Sequence, residues 1–81
     1  MNNLLPEMRL NRELSQYESD LVVIWIEGKY GGGPIAFTGW RLQDYNVLNE
    51  PVGSPYWVSA EGEELKGVIG WAPLPEMRYK L

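Results

Sequence analysis

The run Leu21-Val22-Val23-Ile24-Trp25-Ile26 does most to limit what this chain can become. Four of its six residues are β-branched and one is aromatic, the side chains that fit a pleated, half-buried surface. A membrane-crossing helix takes about 20 apolar residues, so this run is far too short to be one. Both of its alternating sets are apolar, which suits a central strand covered on each side better than an exposed edge.

The flanking residues build a small sheet around that strand. Gly28 to Pro34 reads as a turn, since consecutive glycines permit positive φ. Ile35 to Leu42 is the expected return strand, with Gly39 marking a bulge or a place where a neighbouring aromatic crosses the backbone. Gln43 to Pro55, dotted with Asn, Pro, Gly and Ser, reads as an irregular loop. Tyr56 to Ser59 is a short third strand, Glu61-Gly62 a turn, and Gly67 to Ala72 the fourth strand. Pro73 and Pro75 have no N–H to give and stop the ladder. Ahead of the run, Met1 to Leu10 reads as an arm. Asn11 to Asp20 reads as one or two helical turns, with Asn11 as N-cap and Leu10, Leu14 and Tyr17 at helical spacing. The expectation is a mainly β fold, with α+β as the alternative: a small antiparallel sheet of about four strands in two successive hairpins, and at most one short N-terminal helix. It is one domain over 1–81, divided into an arm or helix (1–20), the sheet (21–72) and a proline-containing tail (73–81).

A sheet built from 81 residues buries little of its own surface, and with no cysteine there is no disulfide or thiolate–metal staple. Stability must come from the four Trp, five Tyr and one Phe. Trp25, Trp40, Trp57 and Trp71 fall on four different expected strands, which predicts a shared aromatic core. The N-terminus has no basic segment leading into an apolar run, so the expected setting is soluble and cytoplasmic, with no membrane partner. A net charge of −4 argues against a phosphate-tracking surface and is too weak for a DNA mimic.

The absent residue types also limit the chemistry. Without His or Cys there is no Ser-His-Asp or Cys-His arrangement and no imidazole metal site. Glu27, Asp44, Glu61, Glu63 and Glu64 are formal candidates for a carboxylate pair, but a sheet this small hardly encloses the cleft such a pair needs. Gly28-Lys29-Tyr30-Gly31-Gly32-Gly33 lacks the Gly-Lys-Ser/Thr ending of a phosphate loop and reads as a hairpin tip. The expectation is a protein that is not an enzyme and holds no catalytic residue, cofactor or metal. Exposed Tyr, Trp and Arg are what protein-binding hot spots are made of. The candidate binding residues are Tyr30 with Lys29 at the hairpin tip, Tyr45 in the following loop, and Arg41.

Leu5-Pro6-Glu7-Met8-Arg9 recurs unchanged as Leu74-Pro75-Glu76-Met77-Arg78, and both copies read as terminal extended segments whose Leu packs while Pro blunts an edge. The second copy closes the phrase Trp71-Ala72-Pro73-Leu74-Pro75-Glu76. That phrase resembles the Trp-x-Pro-Leu-Pro-Glu ending of a small domain-of-unknown-function family, numbered 551, found mainly in tailed phages and prophages. Leu5-Pro6-Glu7, the strand Leu21 to Ile26, the turn Gly31-Gly32-Gly33 and the aromatic pair Tyr56-Trp57 are similar to further parts of that pattern. The chain departs from it at Met1-Asn2-Asn3-Leu4, where the family has a strand, and at Arg9 to Glu18, which looks like an insertion. The resemblance implies a phage or prophage accessory protein and brings no catalytic residues. The leading expectation is therefore a non-catalytic protein that binds a host protein in the host bacterial cytosol, with anti-CRISPR-like counter-defence as one form. The alternatives are a single-stranded nucleic-acid module using aromatic stacking, and a structural subunit that forms a homodimer across an edge strand.

Overall fold

The computed structural model describes residues 5–75. These form one antiparallel sheet of seven strands: β1 (Met8–Asn11), β2 (Gln16–Ser19), β3 (Val22–Ile26), β4 (Ile35–Tyr45), β5 (Pro51–Ser59), β6 (Glu64–Leu65) and β7 (Val68–Pro73). The mainly β class agrees with the sequence reading, and the strands outnumber the four expected. Among the described residues there is no α-helix, only a 3-10 turn at Lys29–Gly31. None is therefore long and apolar enough to cross a membrane.

The strands fall into five rows. β2 and β3 lie end to end along one edge of β4, while β5 takes the other edge and β6 lies beyond it. On the far side of that composite row, β1 pairs with β2 and β7 with β3. From Glu18↔Leu42 to Val22↔Gly39, four steps on one strand face three on the other. The extra residue near Asp20 makes a bulge that keeps Tyr17, Ser19, Val22 and Ile24 on one face. Ser19 fills the broken ladder there: its Oγ accepts the Arg41 N–H at 2.9 Å and donates to the Asp20 carbonyl at 2.8 Å.

Curling follows from chain length. In a flat sheet β6 and β7 would stand four strand spacings apart, about 19 Å. Only Lys66 and Gly67 separate them in sequence, and three Cα–Cα steps reach about 11 Å at most. The sheet closes the difference by rolling, so that Leu65 of β6 packs on Val22 and Ile24 of β3. Gly67 turns the chain at φ +72, and its carbonyl accepts the Glu27 N–H at 3.0 Å. The core is small: Val22, Ile24 and Leu65 are the buried hydrophobics, with Ile26, Phe37, Trp57, Val68 and Trp71 packed around them.

Several expectations are corrected. Residues 11–20 form a β-hairpin with β1, not a helix, and the arm expected before Leu10 supplies β1 itself. Asn11 does cap backbone groups, but its Oδ1 accepts from the N–H groups of Glu13 and Leu14 in a tight turn that Ser15 closes at φ +52. A helix would have needed Leu14 packed, and it is exposed. The expected loop from Gln43 to Pro55 is mostly strand. Asn46 makes the whole reversal, its Oδ1 accepting from Leu48 at 2.9 Å and from Glu50 at 3.0 Å. Pro51 and Pro55 are tolerated because β6 pairs only with Trp57 and Val58, leaving that stretch of β5 an edge. The second hairpin joins β5 to β6, and β7 crosses to β3 instead. The four Trp do lie on four strands, but they do not share a core. Trp57 and Trp71 pack on it, while the register puts Trp25 and Trp40 on the opposite face, each half-buried.

Candidate functional site: an aromatic and arginine platform

Past the core, the inner face continues over β1, β2 and the second half of β4. Register places Arg41 opposite Trp57, Tyr17 opposite Gln43 and Leu10 opposite Tyr17, all on this face. The Arg41 guanidinium carbon lies 5.8 Å from the Trp57 ring centroid, within cation–π range. Tyr17 and Tyr45 meet with centroids 5.3 Å apart and planes tilted by 60°. Partial burial lowers the Arg41 guanidinium below its ordinary pKa. Trp57 supplies part of the stabilisation that lost water would have given this cation.

The platform is held from within and from behind. Gln43 is buried opposite Tyr17, and its amide donates to the Gly53 carbonyl at 2.8 Å, across the irregular register where Gly53 takes φ +70. On the reverse face Gln16 Nε2 donates to Asp44 Oδ1 and to the Tyr56 hydroxyl, both at 2.9 Å, and Tyr56 donates to Asp44 at 3.1 Å. Those three residues tie β2, β4 and β5 together. Burial, followed by the Asp44 hydrogen bond, raises the Tyr56 pKa from its ordinary 10.0.

Two of the four residues singled out from the sequence, Arg41 and Tyr45, belong to this platform. Tyr45 is the last residue of β4 and half-buried, not in an exposed loop. Lys29 and Tyr30 lie beyond the other end of β4, with Tyr30 fully exposed at φ +58. Ten residue steps along β4 span about 33 Å, so the four make two sites. Tyr17 and Trp57 complete the platform, and the sequence reading missed both. The sequence places Tyr17 in a helix, and it places Trp57 in the core, against which Trp57 does pack. The hairpin turned at Asn46 brings Trp57 beside Arg41, whereas Tyr17 is placed by the long-range pairing of β2 with β4.

Both faces bear on what chemistry is open. The platform offers ring faces, a cation and half-buried aliphatic groups, a surface suited to stacking and burial. Among the described residues no group of three or more His, Cys, Asp or Glu is placed to hold a metal ion. Compared with known proteins, the chain matches no family model, no curated protein and no solved structure. The resemblance drawn above thus rests on the residues that carry it.

Proposed function

We propose that this chain is a non-catalytic binding protein of phage or prophage origin that engages a host protein in the bacterial cytosol. The observation that carries the binding half is the Tyr17–Tyr45–Arg41–Trp57 platform. Tyr, Trp and Arg dominate the few residues that supply most interface energy, and partial burial with pairwise ring contacts restricts these four before binding. The phage half is supported by the sequence resemblance, which is strongest over Trp71 to Glu76. Counter-defence inhibition of the anti-CRISPR kind is one form the activity takes in this reading.

A tagged pull-down from host lysate, washed at moderate and high salt and read by mass spectrometry, tests it. One stoichiometric host protein retained at high salt is the expected result. Recovery of nucleic acid alone, lost as salt rises, replaces this reading with single-strand stacking on the same aromatics. Recovery of the chain alone, with light scattering at twice its 9.3 kDa, replaces it with a homodimeric subunit.

A further inference from the structure

The repeated Leu-Pro-Glu phrase finds its structural sense at one seam. β1 and β7 lie in the same row, and Met8↔Ser19 and Pro73↔Val22 are their facing ends. The row is interrupted opposite Asp20 and Leu21, and both copies leave the ladder there, the first at Glu7 and the second at Leu74. They frame a pocket of about 340 Å³, lined by Pro6, Glu7, Asp20, Trp71, Pro73 and Leu74 among others. The leucines do not pack as the sequence suggested: Leu5 is 53% exposed and Leu74 40%. Pro6 is buried. The second copy from Glu76 onward lies outside the described residues.

We propose that this seam pocket binds an arginine side chain presented by a partner polypeptide. Three observations converge on that group. The volume is at the small end of ligand sites and has room for one long side chain. Its wall combines an indole with proline and leucine, on which a guanidinium and its aliphatic stem both stack. Among the described residues its charged members are the carboxylates of Glu7 and Asp20, and no Lys or Arg lines it. The chain itself shows that one of these acids takes a guanidinium, because Arg9 already pairs with Asp20 at the surface. Arg9 therefore competes with the incoming arginine. This inference draws its biological sense from the protein-binding reading, but its test does not depend on it.

The probe is acetyl-Gly-Arg-Gly-amide, with its citrulline counterpart as the uncharged control, titrated against 15N-labelled protein. Trp71→Phe assigns the Trp71 indole N–H, and the other three Trp indoles serve as internal references. The arginine peptide should move the Trp71 resonance saturably and the citrulline peptide should not. Glu7→Gln should weaken binding at least threefold, and Arg9→Ala, which vacates Asp20, should tighten it at least threefold. An exposed ion pair contributes little to stability, so Arg9→Ala keeps the fold. Absence of saturable movement, an equal response to citrulline, or affinity unchanged or weakened in Arg9→Ala overturns the proposal. Those outcomes leave the pull-down result standing on its own.

Discussion

Two glycines in strands, Gly39 and Gly70, give opposite answers to the same substitution. Gly39 lies on the inner face of β4, in register with both Val22 and Ser59. A Cβ there would come 2.1 Å from the Val58 carbonyl oxygen and 2.9 Å from the Ser59 Cα. Both obstacles are backbone, so no side chain can swing aside, and β5 must separate from β4. Over-packing commonly costs about 1–3 kcal/mol where side chains adjust, and a clash with a neighbouring strand belongs at or above the top of that range. A domain of 81 residues has roughly 4–12 kcal/mol in total, so Gly39→Ala removes at least a quarter of it. At about 4–8 °C per kcal/mol, a loss of about 3 kcal/mol lowers Tm by about 12–24 °C. Gly70 lies opposite Trp25 on the outer face, and its Cβ would meet nothing within 4 Å. Gly70→Ala should leave stability within about 0.5 kcal/mol or raise it slightly, because alanine restricts the unfolded chain. Urea denaturation followed by tryptophan fluorescence reads both variants on one scale. If Gly39→Ala and Gly70→Ala unfold at the same midpoint, the close β4–β5 approach at Val58 is wrong, and the roll of the sheet with it.

Two further predictions concern the core and the polar network behind the platform. Ile24 is the one large side chain fully buried among the described residues, so Ile24→Ala should cost about 2–5 kcal/mol, enough to leave much of the protein unfolded at 37 °C by circular dichroism. Tyr56 has a folded-state pKa raised above its unfolded value, so the folded state binds this proton more tightly. Its contribution is complete below pH 10 and is lost as pH rises through the folded value. Tyr56→Phe should flatten the alkaline fall in stability relative to the parent chain, and parallel falls in urea titrations between pH 9 and 12 would contradict the Tyr56–Asp44 bond.

What the sequence made legible was the part decided locally and by strong pattern. Leu21 to Ile26 reads as a central strand because both of its alternating sets are apolar, and it lies between β4 and β7. The reversals at Gly28 to Pro34 and Glu61-Gly62 were legible from glycine, and Gly62 takes φ +92. The N-terminal hairpin was not, because Leu10, Leu14 and Tyr17 satisfy a helical spacing, although Leu14 lies in the turn between β1 and β2. The choice falls to pairing with β4, which local sequence does not encode. β5 was hidden by Pro51, Gly53 and Pro55, residues that deplete ordinary strands but suit an edge with a bulge. The partner of β7 is a long-range matter, settled by how far two residues can reach. For the platform, Arg41 and Tyr45 were visible as residue types suited to binding, whereas their association with Tyr17 and Trp57 required the register. Lys29 and Tyr30 were named with them as exposed residues of types suited to binding; β4 holds them apart.

The central claim is that the platform is the binding surface. It is tested most directly by repeating the host-lysate capture with two double variants beside the parent chain, each first shown to keep its β-sheet circular dichroism. Tyr17→Ala with Arg41→Ala removes one member of the ring pair and the cation over Trp57; Lys29→Ala with Tyr30→Ala removes the exposed hairpin tip. Loss of about 2 kcal/mol at a hot spot is close to a thirtyfold drop in affinity, so the first variant should release the captured host protein at moderate salt. The second should retain it as the parent does. Retention by the platform variant, or release by the tip variant alone, would contradict the account and move the interface to the far end of β4.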